Sequence, residues 1–162
     1  MKRVLLCLLG VLLVMVEGSI TNYINLFDVS FNIVLIYITI ISLYLDELEV
    51  GIIGAVVGIV KDITIGGIFG VNALVLFAIS YSISHLKDKI YKESYMTIFT
   101  LVLITSLFDS LVNIAALTLV YSSYKISMLA LRGIVIIPLM NGLLSIVIYR
   151  LFKKSILKLK ED

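Results

Sequence analysis

The residues of this chain that could most readily take part in chemistry are charged side chains that interrupt apolar runs. Lys61 and Asp62 lie side by side in the stretch GAVVGIVKDITIGGIFGVNAL, which begins at Gly54. An ionisable side chain inside a bilayer is costly unless it is paired or hydrogen-bonded, and it commonly marks a functional site. Asp62 is therefore either a ligand or proton site, or a polar group that caps or packs helices. We favour the second interpretation.

A second polar stripe runs along a later apolar segment. Thr105, Asp109 and Asn113 are spaced four residues apart, so they share one helix face. Counting about 1.5 Å per residue from the inner helix ends places Glu17, Asp62 and Asp109 at a similar depth, beyond the membrane midplane. The predicted outer polar cluster comprises Glu17, Asp109, Asn113 and Arg132, and the cations nearest its level are Lys61, Lys125 and Arg132. This cluster could line a solute pocket or form an internally paired network, and we favour the network.

Catalytic and metal-binding chemistry has little support in the sequence. His85 is the only histidine and Cys7 the only cysteine, so neither type can supply a pair of metal ligands. The chain has no Gly-x-Ser-x-Gly elbow and no phosphate-binding loop. We therefore expect no enzyme activity, no metal and no cofactor. His85 is expected to be solvated at the membrane surface.

The elements that position these side chains are expected to be membrane helices. Of the 162 residues, 61% are apolar and 15% are charged, with a mean hydropathy of +1.16. Soluble domains have about 45–50% apolar and about 25% charged residues. An apolar helix of about 20 residues spans a hydrocarbon core about 30 Å thick. The predicted helices are Val4–Asn22, Val29–Leu45, Val50–Ile65, Val71–Leu86, Tyr95–Val120 and Ile126–Phe152.

The sequence thus predicts an all-α integral membrane protein, with about six transmembrane helices in one compact bundle and residues 1–162 as a single multi-pass domain. If the first helix starts inside, all but three of the 13 Lys and Arg residues lie at inner ends. Basic residues accumulate on the cytoplasmic side, so both termini are predicted to be cytoplasmic. The first helix is expected to be retained rather than cleaved as a signal peptide, because no small-x-small cleavage site follows it.

Glycines around Asp62 predict close helix packing. Gly54, Gly58 and Asp62 recur every four residues, and small residues at this spacing let membrane helices approach closely. Asp62 should therefore face the packed side and find donors in the Ile63–Gly70 turn. Lys61, about 100° away around the helix, is expected to leave that face and extend its ammonium among the headgroups.

The residues after Asp62 predict a sharp turn into the next helix. Gly67 and Gly70 permit backbone conformations that other residues avoid. Asn72 could cap the start of the helix that follows. Further along, Pro138 lacks an amide hydrogen and should release a carbonyl near Ile134, which predicts a kink in the last helix.

The segment GIIGAVVGIVKDITIGGIFGVNAL resembles the signature of the MreD family of rod shape-determining membrane proteins. In that pattern a glycine-spaced helix is followed by an aspartate, a glycine turn, and Gly-x-Asn or Gly-x-His before an Ala-Leu helix. The matching positions are Gly54, Gly58, Asp62, Gly67, Gly70, Asn72, Ala73 and Leu74. Pro138 and Asn141 are similar to the family's closing Pro and Asn, whereas the segment from Asp28 to Asn32 lacks the Pro of the family's usual Pro-Asp pair.

The resemblance implies a non-enzymatic scaffold of the cell-wall elongation machinery in the bacterial plasma (inner) membrane, contributing to rod shape and side-wall peptidoglycan synthesis. The partners it implies are an MreC-like protein, MreB, RodA, a class B penicillin-binding transpeptidase and the lipid bilayer. No nucleic-acid partner is expected, because attraction of inner-surface cations to anionic lipid accounts for the net charge of +2.

The same pattern is also similar to the substrate-binding subunits of energy-coupling-factor vitamin transporters, whose fold MreD is thought to share. Those subunits typically carry an Ala-x-x-x-Ala pair on the first helix. The first helix here reads VLLCLLGVLLVMVEG and lacks that pair, and the short loops contain no Trp. A vitamin-transporter subunit is therefore the alternative to the favoured scaffold.

Overall fold

The computed structural model describes residues 2–23, 31–66, 68–91, 94–120 and 132–157, and these ranges contain helices and turns but no strand. The six α-helices are α1 (Lys2–Tyr23), α2 (Ile33–Ile41), α3 (Glu47–Thr64), α4 (Val71–Leu86), α5 (Tyr95–Val120) and α6 (Ile137–Leu157). A 3-10 turn, Lys87–Lys89, follows α4, and a π-helical turn, Arg132–Ile136, leads into α6. The all-helical class predicted from the sequence is confirmed, and α4 and α5 have the predicted bounds.

Helix α2 is much shorter than the predicted Val29–Leu45. It begins after Asn32, whose side-chain oxygen accepts a hydrogen bond from the Leu35 amide, and it ends in a turn at Ser42. Nine residues extend only about 14 Å at 1.5 Å per residue, well short of a membrane span. The predicted start at Val29 lies outside the described residues.

Two of the described helical segments are long and apolar enough to cross a membrane, namely Tyr95–Val120 and Gly133–Leu151. They pack against each other along α5 and α6, where an edge-to-face contact joins the rings of Tyr95 and Tyr149. Helix α3 packs most extensively against α4, and α1 lies against α3. The described chain therefore contains a membrane-compatible pair, α5 and α6, beside a tight antiparallel hairpin, α3 and α4.

Helix α2 lies at the centre of the bundle. Seven of its nine residues are buried, and it contacts α1, α3, α4, α5 and α6. Its side chains Val34, Leu35, Ile36 and Ile38 are fully buried in the apolar core. This short helix thus connects the α3–α4 hairpin to the α5–α6 pair.

The irregularity expected at Pro138 takes the form of a π-helical turn rather than a kink within a continuous helix. The turn Arg132–Ile136 ends immediately before α6, and Pro138 is the second residue of that helix. Proline fits the first turn of an α-helix because the amide hydrogen it lacks would have no intrahelical partner there. The change from π to α geometry therefore precedes the proline.

Candidate functional site

Lys61 and Asp62 are both buried near the end of α3, each with 6% of its surface exposed. The Lys61 ammonium nitrogen lies 2.9 Å from Glu17 Oε1 on α1 and donates to Asn32 Oδ1 at 2.8 Å. The prediction that Lys61 extends among the headgroups is therefore wrong. Two acceptors, one on α1 and one just before α2, hold the ammonium inside the bundle, and α3 packs against α1 as well as against α4.

Glu17 also binds the beginning of α2. Its Oε2 accepts a hydrogen bond of 2.9 Å from the Val34 amide, while the Asn32 side chain accepts from the Leu35 amide at 3.0 Å. Carboxylates near a helix N-terminus are favoured by the helix dipole and by the unpaired first amides. The N-terminus of α2 is thus capped from α1 as well as by its own residue.

Asn32 links this end of α2 to α5 and α6. Its side-chain nitrogen donates to Asp109 Oδ2 at 3.1 Å, and its backbone amide donates to Asn141 Oδ1 at 3.0 Å. Asn113 donates to Asp109 Oδ1 at 3.0 Å, and Asn141 donates to Ser106 Oγ at 2.8 Å. We call this set the Asn32 network: Glu17, Asn32, Lys61, Ser106, Asp109, Asn113 and Asn141.

The Asn32 network contains three of the four residues of the predicted outer polar cluster, Glu17, Asp109 and Asn113. Asn113 donates directly to Asp109, whereas Glu17 is joined to them through Lys61 and Asn32. The Arg132 side chain lies outside the described part of the chain. Thr105 of the predicted stripe shares a hydrogen bond of 3.2 Å with Thr39 on α2. The polar face of α5 therefore meets α2 inside the protein.

Sequence reasoning missed the central position of Asn32. An Asn directly before the apolar run IVLIYITII is a helix-start signal, and this signal could have identified it as a cap. Its partner Asn141 was noticed only through the family resemblance. The two residues are 109 positions apart, so no local pattern predicts their contact.

Asp62 is the polar centre of the α3–α4 turn. Its carboxylate accepts hydrogen bonds from the backbone amides of Gly70, Asn72 and Ala73 at 2.9, 3.2 and 3.2 Å, and from the Asn72 side chain at 2.8 Å. The N-cap residue of α4 is Gly70, which has φ of 92° and no side chain to cap the helix. Asp62 therefore caps α4 from the preceding helix.

This arrangement differs in two respects from what the sequence predicted. Only Gly70 of the Ile63–Gly70 turn donates to the carboxylate in the described residues, and the other donors belong to the first turn of α4. Asn72 does not cap α4, because its side-chain amide donates to Asp62 instead. Gly67 lies outside the described residues, and Gly70 has the left-handed conformation that favours glycine.

Gly54 and Gly58 bring the backbones of α3 and α4 into contact. A Cβ atom on Gly58 would lie 2.4 Å from the Ala73 Cα atom, and one on Gly54 would lie 2.7 Å from the Leu76 carbonyl oxygen. These separations are too short for any side chain. The glycine spacing therefore serves helix packing beside the Asp62 cap.

The opposite end of the hairpin carries surface charge. Lys87 donates to Asp46 Oδ1 and to the Leu45 carbonyl oxygen, both at 2.9 Å, and His85 Nδ1 lies 3.0 Å from Glu47 Oε1. The hydrogen bond from Lys87 lowers the pKa of the Asp46 carboxyl. The His85 side chain is largely exposed, as the sequence predicted. These contacts fasten the α2–α3 connection to the end of α4.

In the Asn32 network and at the Asp62 cap, the polar groups are hydrogen-bonded to one another. Among the described residues, no three His, Cys, Asp or Glu side chains are grouped so that they could hold a metal ion. The buried carboxylates Glu17, Asp62 and Asp109 each accept hydrogen bonds from protein donors. Such an arrangement can fix the relative positions of helices.

Comparison with known proteins gives one match of nearly full length. The family model described as rod shape-determining protein MreD matches residues 1–156, a range that includes both the Asn32 network and the Asp62 cap. No curated protein and no solved structure matches the chain.

Proposed function

The chain belongs to the MreD family of rod shape-determining proteins of the bacterial inner membrane, and we propose that it is a non-enzymatic scaffold of the cell-wall elongation machinery. In this role it contributes to rod shape and to side-wall peptidoglycan synthesis. The observation that supports the role is the Asn32 network, in which polar side chains from α1, α3, α5 and α6 meet at the capped end of α2. These groups hold the bundle in one arrangement.

The proposed mechanism is assembly without turnover of a substrate. Apolar side chains remain exposed along α1 and α6, including Leu8 and Leu12 on the first and Leu143 and Val147 on the second. In a membrane such faces meet lipid or the apolar spans of other proteins. Because the Asn32 network fixes the helices relative to one another, the exposed faces of α1 and α6 keep constant relative positions. Partner spans bound to these faces are then held at defined positions as well.

The partner we propose first is an MreC-like protein, with MreB, RodA and a class B penicillin-binding transpeptidase as further members of the same machinery. The lipid bilayer is the surrounding medium, and no nucleic acid takes part. Purification of the tagged protein from membranes should recover the MreC-like protein. A Gly58→Leu variant, in which α3 and α4 are forced apart, should recover less of it relative to the amount of folded bait.

We further propose a multi-pass topology of six spans with both termini in the cytoplasm, in which the nine-residue α2 makes the second crossing together with the chain on either side of it. The charged end of the hairpin, with Lys87 and Lys89, would then lie at the inner surface, in accordance with the positive-inside rule. Cytoplasmic reporters fused after Asp162 or within residues 87–92 should be active, and reporters at Asn25 or Ser123 should report the outside. A periplasmic signal after Asp162 would contradict the six-span count.

Depleting the protein in a rod-shaped host distinguishes the scaffold role from the alternative role as a vitamin-transporter subunit. Cells that lose the protein should become round while their vitamin uptake is unchanged. Loss of uptake with normal shape would instead support a substrate-binding subunit of an energy-coupling-factor vitamin transporter. A matched rescue with the Lys89→Gln variant, which alters an exposed residue of the turn after α4, should restore shape fully.

A further inference from the structure

The α3–α4 hairpin has two chemically different ends. One end carries charged residues, among them Asp46, Glu47 and Lys87. The other end, residues 63–70, which we call the hairpin tip, contains no charged residue. Its exposed side chains include Ile63 at 67% and Phe69 at 71%, and the adjacent Leu74 is 71% exposed. An exposed apolar cluster of this kind marks contact with a nonpolar partner or with a membrane.

The lengths of the two helices limit how far the tip can reach. The 18 residues of α3 extend about 27 Å and the 16 residues of α4 about 24 Å, whereas a bilayer has a hydrocarbon core of about 30 Å and a total thickness of about 40–45 Å. In the six-span topology proposed above, on which this inference rests, the carboxylates of Glu47 and Glu49 in the first turn of α3 lie at the level of the inner headgroups. The tip therefore ends near or below the far boundary of the hydrocarbon core.

Several hydrogen-bond donors at and beside the hairpin tip are bonded within the protein. Polar backbone groups in a membrane must find partners within the protein. The Asp62 carboxylate accepts the first amides of α4, the Ile65 amide donates to the Lys61 carbonyl, and the Val71 amide donates to the Ile68 carbonyl. The Thr64 hydroxyl likewise donates to the Val60 carbonyl at 2.8 Å. Each of these donors has an acceptor within the protein and needs none from water.

From these observations we propose that the hairpin tip is a lipid-binding surface that ends within the outer leaflet of the membrane. Ile63, Phe69 and Leu74 contact acyl chains there instead of periplasmic water. The helix lengths indicate that lipid surrounds the tip, because a hairpin shorter than the hydrocarbon core ends among acyl chains. A short hydrophobic element thins the bilayer around it, so the outer leaflet is drawn down at this face of the protein.

The chain contains no Trp, so a single introduced Trp reports one position without background. We would reconstitute Phe69→Trp in phosphatidylethanolamine–phosphatidylglycerol liposomes and compare quenching by lipids brominated on the acyl chain with quenching by aqueous iodide. The matched control is Asp88→Trp in the exposed turn at the charged end of the hairpin. Phe69→Trp should be strongly quenched by brominated lipid, and its iodide quenching constant should be several-fold lower than that of the control.

Equal iodide quenching of the two variants would overturn the proposal, because the tip would then lie in water. Weak quenching of Phe69→Trp by both reagents would overturn it too, since the tip would be covered by protein. If Phe69→Trp fails to fold, Leu74→Trp serves as the second reporter. A spin label on Phe69→Cys in a Cys7→Ser background gives an independent measurement, in which oxygen should be more accessible than a water-soluble nickel chelate.

Discussion

The ammonium nitrogen of Lys61 lies 2.9 Å from Glu17 Oε1, and the two side chains are only 8% and 6% exposed. This buried ion pair joins α1 to α3. Because both charges have left water, removing one of them strands the other in the bundle, which is more damaging than exchanging the pair for apolar side chains. The pair therefore makes α1 and α3 depend on each other.

Lys61→Ala should lower the free energy of unfolding by about 3–5 kcal/mol, the range for breaking a buried pair from one side. The double variant Glu17→Met/Lys61→Met should lose less than Lys61→Ala alone, since it leaves no lone charge. Unfolding of the purified proteins in one detergent measures both values. Lys89→Ala, an exposed lysine after α4, is the control, and equal stability of Lys61→Ala and Lys89→Ala would contradict this role of the pair.

Asp62→Ala should remove the cap of α4 and leave four donor contacts without their acceptor. Loss of a single hydrogen bond to a charged group costs about 1.5–3 kcal/mol, so folded yield and rescue of cell shape should both fall. Asp62→Asn should be intermediate because its amide keeps one oxygen acceptor without the charge. Lys89→Ala, at an exposed position, should behave as wild type. Full rescue by Asp62→Ala would show that the cap is dispensable.

Gly58→Ala should destabilise the hairpin because the new Cβ would lie 2.4 Å from the Ala73 Cα atom and must push the helices apart. Overpacking of this kind typically costs about 1–3 kcal/mol. Gly18→Ala in α1 is the matched control, since its Cβ would meet only Ile65 Cγ1 at an ordinary 3.7 Å. Thermal unfolding should therefore separate the two variants. A Gly58→Ala protein as stable as Gly18→Ala would mean that α4 can shift freely.

The Asp46–Lys87 contact should stabilise the fold near neutral pH and cease to do so in acid. The hydrogen bond from Lys87 lowers the pKa of Asp46 from its ordinary 3.8, so ionised Asp46 favours the folded state. That contribution is complete above pH 3.8 and is lost as the pH falls through the lower folded-state pKa. The melting-temperature difference between wild type and Asp46→Asn should be small and constant near neutrality, then disappear in acid. A transition near neutral pH would contradict this assignment.

Sequence patterns predicted the parts of the fold that local spacing controls. Val71–Leu86 and Tyr95–Val120 were predicted with the bounds the structure shows, because a glycine turn and a basic connection delimit α4. The recurrence of Gly54, Gly58 and Asp62 predicted that the aspartate faces a packed side of its helix, and in the structure that side meets α4. Each of these features depends on residues close together in the chain.

Other features depend on which distant elements meet, and local spacing carries no information about them. Lys61 was expected to face the headgroups because a single packed face was assumed for α3, whereas that helix contacts α1 as well as α4. The shortness of α2 was missed because its apolar run continues past Ile41 to Leu45 without Gly or Pro. Asn32 caps α2 by a local bond, but its contacts with Asp109 and Asn141 are formed only in the assembled bundle.

The long separation between Asn32 and Asn141 also bears on how the protein is made. The Asn32 amide cannot reach its acceptor until the ribosome has added 109 further residues and α6 has packed into the bundle. Glu17 and Lys61 can already bind each other, the Val34 amide and the Asn32 side chain, because all four residues precede α6 in the chain. A nascent chain that stalls before α6 therefore lacks both contacts of Asn141, to the Asn32 amide and to the Ser106 hydroxyl, so its polar interior is incomplete and differs from that of a finished molecule.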